Sequence, residues 1–357
     1  MCAGQRIGGK SVTVLMLPKS QLSARIADLL TIRRVIAPVV REGELRFDVV
    51  KRADEIVLDY RNTAKPPKGV FFPQTETMMR FARARDAYNE IEAVPLDTTP
   101  TVLLGVRPCD AHSFILLDKI FAQGCYLDPY YRARRENTLV ISLACDHPRA
   151  TCFCHAFGRG PADMSGADIL MRPAGDAYII EAVTSRGAQL LAEGALARAD
   201  EPHLRAAQEI AAAAEARLRP IEPVKGIEKD LAGLFENPMW AEISEKCLAC
   251  GTCTYVCPGC HCFNIEDKLY AREGERVRAW DSCMYPTFTL HASGHNPRPD
   301  QAARWRQRVM HKFEYLPRNV QEYGCVGCGR CILSCPVRLD IRQVIDRVRQ
   351  EASKVTA

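Results

Sequence analysis

The sequence lacks the short motifs by which a chain handles a dinucleotide or a peptide substrate alone. No G-x-G-x-x-G follows a strand candidate and no H-E-x-x-H occurs, so neither a dinucleotide fold nor a zinc-peptidase helix is expected. No apolar run approaches the roughly 20 residues that cross a bilayer. The opening stretch MCAGQRIGGKSVTVLML has no basic segment leading into a long apolar core and a cleavage site, so the expectation is a soluble, cytoplasmic chain without a secretory leader. Excess charge is also scarce. A net charge of +5 with 25 % charged residues suits an ordinary globular surface and gives no footprint for nucleic acid. The basic, aromatic stretch Arg304-Trp305-Arg306-Gln307-Arg308 is accordingly read as a solvated helix face.

Cysteine is present in excess. There are 17 in 357 residues, and in a reducing compartment thiols in such number point to metal rather than to disulfides. Two runs carry the strongest signal. Cys247, Cys250, Cys253 and Cys257, followed by Pro258, form one, and Cys325, Cys328, Cys331 and Cys335, followed by Pro336, form the other. Both have the C-x2-C-x2-C-x3-C-P spacing of bacterial ferredoxins. Two-residue spacers let one tight loop offer three thiolates to the corners of a cubane, while Gly251, Gly327 and Gly329 let the backbone wrap close. In paired clusters the fourth cysteine ligates the other cube. The expected sets are therefore Cys247, Cys250, Cys253 and Cys335 for one [4Fe–4S] cluster, and Cys325, Cys328, Cys331 and Cys257 for the second. Zinc is the alternative, but one zinc ion needs two C-x2-C pairs, not two four-cysteine runs.

The runs are separated by a long insert with Cys260, Cys262, Cys283, His261, His291, His295 and His311. Three cysteines without a telling histidine spacing read as packed thiols near the clusters, with a zinc site or further cluster as the alternative. Cys2 and Cys125 have no partner in the pattern.

Toward the N-terminus, apolar strands are expected at Val12–Leu17, in a pair over 45–60, at Thr101–Val106 and at Thr138–Ala144, with helices at Gln21–Arg33 (capped by Ser20), Glu76–Asn89 and Ala111–Ala122. Arg107–Asp110 reads as a turn shaped by Asp110 and His112. Strand, turn, helix, strand is a βαβ unit with parallel, buried strands. Cys109 and Cys145 then lie at one carboxyl edge, where open α/β sheets place their ligands, and Cys152 and Cys154 follow on a loop. These four cysteines are candidates for a third metal centre, most simply a third [4Fe–4S] cluster; structural thiols are the alternative. Gly187–Arg219 reads as one or two helices ending before Pro220. The expected class is α+β. An N-terminal α/β-type domain (1–185) and a helical linker region (186–240) precede a helical-ferredoxin-like two-cluster domain with a long insert (241–357).

Gly105-Val106-Arg107-Pro108-Cys109-Asp110, Cys152-Phe153-Cys154, Cys257-Pro258-Gly259-Cys260-His261-Cys262-Phe263, Trp280-Asp281-Ser282-Cys283 and Gly294-His295-Asn296 resemble the 4Fe–4S dicluster subunit family. That family includes the dicluster protein of anaerobic sulfite reductase and the beta subunit of sulfhydrogenase, and related proteins accompany heterodisulfide-reductase-like complexes. The resemblance spans about residues 70 to 345. It implies an electron relay that links a flavin- and NAD(P)H-binding subunit to a catalytic redox subunit. A cluster moves single electrons and performs no hydride chemistry, so donor and acceptor are expected on other chains. A stand-alone iron–sulfur or flavin oxidoreductase acting on a sulfur substrate is the alternative.

Overall fold

The computed structural model describes residues 14–82, 90–194 and 196–356; Cys2, residues 12–13 of the first expected strand and residues 83–89 of the second expected helix lie outside them. In chain order the strands are β1 (Leu15–Pro18), β2 (Arg34–Arg41), β3 (Glu44–Val49), β4 (Thr75–Ala82), β5 (Glu90–Ala93) and β6 (Thr101–Val106). They continue with β7 (Thr138–Leu143), β8 (Ile169–Ala174), β9 (Ala177–Ala182), β10 (Ala197–Arg198), β11 (Phe263–Tyr270) and β12 (Glu273–Trp280). With the helices between and after them, the chain is α+β.

Eight strands form one mixed sheet in the order β10-β1-β9-β8-β7-β6-β2-β3. Its middle strands β2, β6, β7 and β8 are parallel. Both β6 (TVLLGV) and β7 (TLVISL) are buried along their whole length, as continuous apolar runs must be when helices or loops cover both faces. The helix Pro108–Phe121 begins directly after β6, so the expected turn at Arg107–Asp110 is instead a helix start, with Pro108 in the first helical position where a missing N–H costs nothing.

Three further expectations need correction. Ser20 lies inside the helix Lys19–Ile32, whose N-cap is Pro18. The strand pair sits at β2 and β3, a hairpin closed earlier than 45–60, because Glu42 and Gly43 take the left-handed conformations that a tight turn requires. The expected helix at Glu76 is a strand over the described part. β4 pairs with β12, which also pairs with β11, in a second sheet of order β11-β12-β4-β5. Cross-strand packing there outweighs the helix propensity of Met78, Met79, Arg80 and Ala82. The insert between the cysteine runs thus shares a sheet with residues 75–82 and 90–93.

The helices Ser185–Ala192 and Glu201–Ala216 match the alanine-rich expectation and are capped by Thr184 and Asp200 through Gly187 N and His203 N. The two cysteine runs repeat one backbone path. Ala249 and Gly251 in the first, and Gly327 and Gly329 in the second, have φ of 54°, 72°, 68° and 72°. Short helices Thr252–Tyr255 and Arg330–Leu333 follow. The core around the runs includes Trp240, Trp305, Phe313 and Val344, together with Phe153 from the N-terminal half.

Candidate metal centre

The twelve candidate cysteines fall into three cavities. Cys247, Cys250 and Cys253 line one with Cys335. Cys325, Cys328 and Cys331 line a second with Cys257. Each cavity therefore gathers three sulfurs from one run and the fourth from the other run. The reason is the repeated fold: each short helix carries its own fourth cysteine out of the loop and against the partner loop. Cys109, Cys145, Cys152 and Cys154 line a third cavity. Cys109 is in the first turn of the helix after β6, and Cys145 stands just past β7. Adjacent parallel strands thus bring them to one edge, and the 152–154 loop closes it.

The cavities are contiguous. Cys328 lines the second and the third, and Cys331 the first and the second. Close packing holds them there. Phe153 N donates to Gly327 O at 2.8 Å, and a Cβ on Gly327 would stand 2.5 Å from Cys154 N. Glycine is required at 327 both for its positive φ and for that approach. Asn62 Nδ2 donates to Cys328 O at 3.3 Å.

Among the described residues, no three His, Cys, Asp or Glu side chains stand at single-ion distance. A zinc ion would draw its sulfurs in to about 2.3 Å of one centre, whereas a four-iron cube holds its four cysteines apart by its own width. The donor chemistry also fits an iron–sulfur group. Burial pushes the thiols of Cys253, Cys325 and Cys331 up, and those of Cys328 and Cys154 up to about 12 and Cys145 to about 11. Thiolates at these positions need cations or metal to balance them. Buried cations are present. Arg107 donates to Ala144 O beside Cys145, Lys312 Nζ donates to Cys257 Sγ at 3.3 Å and to Gly324 O at 2.6 Å, and Arg308 lies between the first two cavities. A hydrogen bond from the Cys260 thiol, then the charges of Lys312, Arg308 and Lys68, hold the Cys257 thiol well below the ordinary range. Three sulfurs accept further hydrogen bonds or lie near donors: Gln301 Nε2 donates to Cys247 Sγ and Leu339 N to Cys335 Sγ, each at 3.2 Å, and Cys250 Sγ lies 3.4 Å from Thr252 Oγ1. Such contacts set the potential of an iron–sulfur group.

The other cysteines separate clearly. All three insert cysteines are free thiols: Cys260 donates a hydrogen bond toward Cys257, and Cys283 toward Cys262; none of them lines the three cavities. Cys125 is exposed. His261 and His311 are half-buried with ring centroids 5.4 Å apart, and His291 faces His295 at 5.3 Å. Asp110 and His112 are structural ties. Asp110 pairs with Arg330, while His112 bonds to Ser165 Oγ at 2.7 Å and Glu322 at 3.0 Å.

Residues 304–308 require a correction. Arg304, Trp305 and Arg308 are buried, so this is an inward helix face and not a solvated one. The buried cations Lys68, Arg107, Arg308 and Lys312 were the site residues that sequence reasoning missed. The signal for two of them was their i, i+4 spacing on one helical face at 308 and 312, which puts both cations on the same side as the cysteines.

No helix among the described residues is long and apolar enough to cross a membrane. No solved structure matches the chain. Residues 246–339 match the family model described as a 4Fe–4S dicluster domain, the segment that holds both cysteine runs. Sulfhydrogenase 2 subunit beta of Pyrococcus furiosus is 35 % identical over 320 residues, covering 89 % of this chain and 92 % of that protein. A likeness carried along nearly the full length of both chains places this one in the 4Fe–4S dicluster family of iron–sulfur electron-transfer subunits, to which the sulfhydrogenase beta subunit belongs.

Proposed function

We propose that the chain is a three-centre electron relay linking a flavin- and NAD(P)H-binding subunit to a catalytic redox subunit of the sulfite reductase, hydrogenase or heterodisulfide-reductase type. The observation that carries this reading is the row of three cavities, each lined by a set of four candidate cysteines, with Cys328 and Cys331 at the two junctions. Cys247, Cys250, Cys253 and Cys335 hold one [4Fe–4S] group, and Cys325, Cys328, Cys331 and Cys257 the second. Cys109, Cys145, Cys152 and Cys154 hold the third. Each group, when bound, supplies a one-electron couple. The protein's part is to fix three such couples in line, exclude water from the middle one, and set their potentials through Lys312, Gln301, Leu339 N and Arg107. Cys250 and Leu248 are exposed at the first cavity, and His147 is exposed at the third. The row therefore opens to the surface at both ends, as a relay between two partners requires.

Anaerobic iron and sulfide analysis of the full chain tests the reading. Twelve iron and twelve sulfide per chain are expected, falling to eight in Cys145→Ser. The purified chain is expected to take electrons from dithionite and none from NADH or NADPH. Eight iron in both proteins would remove the third centre. Stoichiometric zinc with little sulfide would remove the iron–sulfur reading itself, and reduction by either nucleotide would favour the stand-alone enzyme.

A further inference from the structure

Arg308 lies on the helix Gln301–Met310 and is 3 % exposed. It lines both the first and the second cavity. Among the described residues no carboxylate pairs with it, and its Nε and Nη1 have no hydrogen-bond partner. The thiols that act on its charge include Cys253 from the first set and Cys257 and Cys331 from the second. Lys312 is different: its ammonium is already committed to Cys257 Sγ and Gly324 O. Trp305, one turn before Arg308, also lines the first cavity, and its Nε1 is equally without a partner.

A guanidinium presents five donors in a rigid fork and does not give up its charge. Its burial without an anion is strongly disfavoured. The balancing negative charge must then lie where the unpartnered N–H groups are, in the two cavities. The geometry points to Arg308 as an electrostatic bridge between the two ferredoxin-type centres, donating toward both and offsetting the electron taken up by either. This rests on the two-cluster reading of the cysteine runs. Each couple gains one electron and no proton, so the added negative charge meets the same fixed cation from either side. Both potentials are raised. The repulsion between the two added electrons is left as it was, because the fixed cation acts on each of them separately. A pair raised together in this way accepts both electrons of a two-electron donor more readily.

The test uses the full chain, purified without oxygen, as Arg308→Gln and Arg308→Lys. Iron and sulfide are counted first, and both couples are then followed by electron paramagnetic resonance during a redox titration with dithionite. In Arg308→Gln at full iron content, both reduction equilibria are expected to weaken by about tenfold, or about 59 mV for a one-electron couple. The interval between the two steps is expected to change little, because the same charge is removed from beside both couples. In Arg308→Lys one ammonium cannot fork into two cavities, so one couple stays near its parent value and the other weakens. Full iron with both couples unmoved in the Gln variant, or only one moved, overturns the bridge. If the Gln variant loses iron, the Lys variant decides alone, and two unmoved couples overturn the proposal. A parent chain that lacks the iron for two clusters would instead fail the two-cluster reading.

Discussion

Asp110 and Arg330 form a fully buried bidentate ion pair, with Nη1 to Oδ1 at 2.5 Å and Nη2 to Oδ2 at 2.7 Å, across 220 residues of sequence. Asp110 is in the first turn of the helix that presents Cys109, and Arg330 opens the short helix that carries Cys331. Arg330 Nε also donates to Thr63 O at 2.8 Å. The pair therefore fixes the sheet edge against the second ferredoxin run, which is the joint between the second and third cavities.

Asp110→Asn leaves the Arg330 charge buried without its counter-charge. Breaking a buried pair from one side costs on the order of 3–5 kcal/mol. The expected outcome is a large drop in the thermal midpoint together with loss of iron. Double replacement, Asp110→Asn with Arg330→Met, should recover part of the stability because no charge is stranded. A single variant as stable as the parent would show that the pair does not fix this joint.

Cys335→Ser is expected to damage the centre held by Cys247, Cys250 and Cys253 more than the one in its own run. Electron paramagnetic resonance separates the two signals. A change restricted to the centre of Cys325, Cys328 and Cys331 would contradict the exchange of fourth ligands.

The repeat offers a matched pair of backbone tests. Ala249 has a φ of 54° where the second run has Gly327 at 68°. A left-handed conformation costs a residue with a Cβ roughly 1–2 kcal/mol. Ala249→Gly is expected to raise stability by up to about 1 kcal/mol, after glycine's entropy loss is allowed for. Gly327→Ala combines the same strain with a clash against Cys154 N and should lower stability and iron content together. Thermal melts under anaerobic conditions compare the two, and equal effects would contradict the close approach at 327.

Burial holds the imidazoles of His261 and His311 down at about 4 and about 3, with the charge of Lys312 adding to both. Their folded-state values lie below the unfolded value near 6.5, so below that pH the unfolded chain binds protons that the native state refuses. Stability is then fully present above pH 6.5 and falls as pH drops toward 4, by up to about 1.4 kcal/mol per pH unit for each histidine. In His311→Gln the fall of the melting temperature with acid is expected to be shallower. Slopes identical to the parent's would show that His311 does not supply this proton linkage.

The ferredoxin-type runs were legible in the sequence because their signal is local: spacing alone puts three cysteines on one loop, and Gly251, Gly327 and Gly329 permit the wrap. The βαβ unit was legible for a similar reason, since TVLLGV and TLVISL are apolar throughout and such runs are stable as strands only when both faces are covered. The fourth sulfur of each set, and the meeting of Cys109 and Cys145 with Cys152 and Cys154, depend on which strands are neighbours and on how one loop packs against the other. The β4–β12 pairing and the inward turn of Arg304, Trp305 and Arg308 were hidden as well. A polar or helix-forming segment reveals its face only once its partners are in place. The sequence by itself therefore determined the dicluster class and the parallel strands of the sheet, because cysteine spacing and apolar runs act within a few residues. Tertiary structure alone decided the row of three cavities and the buried cations between them, because charges and thiols far apart in the chain gain their energetic meaning only when folding removes them from water together.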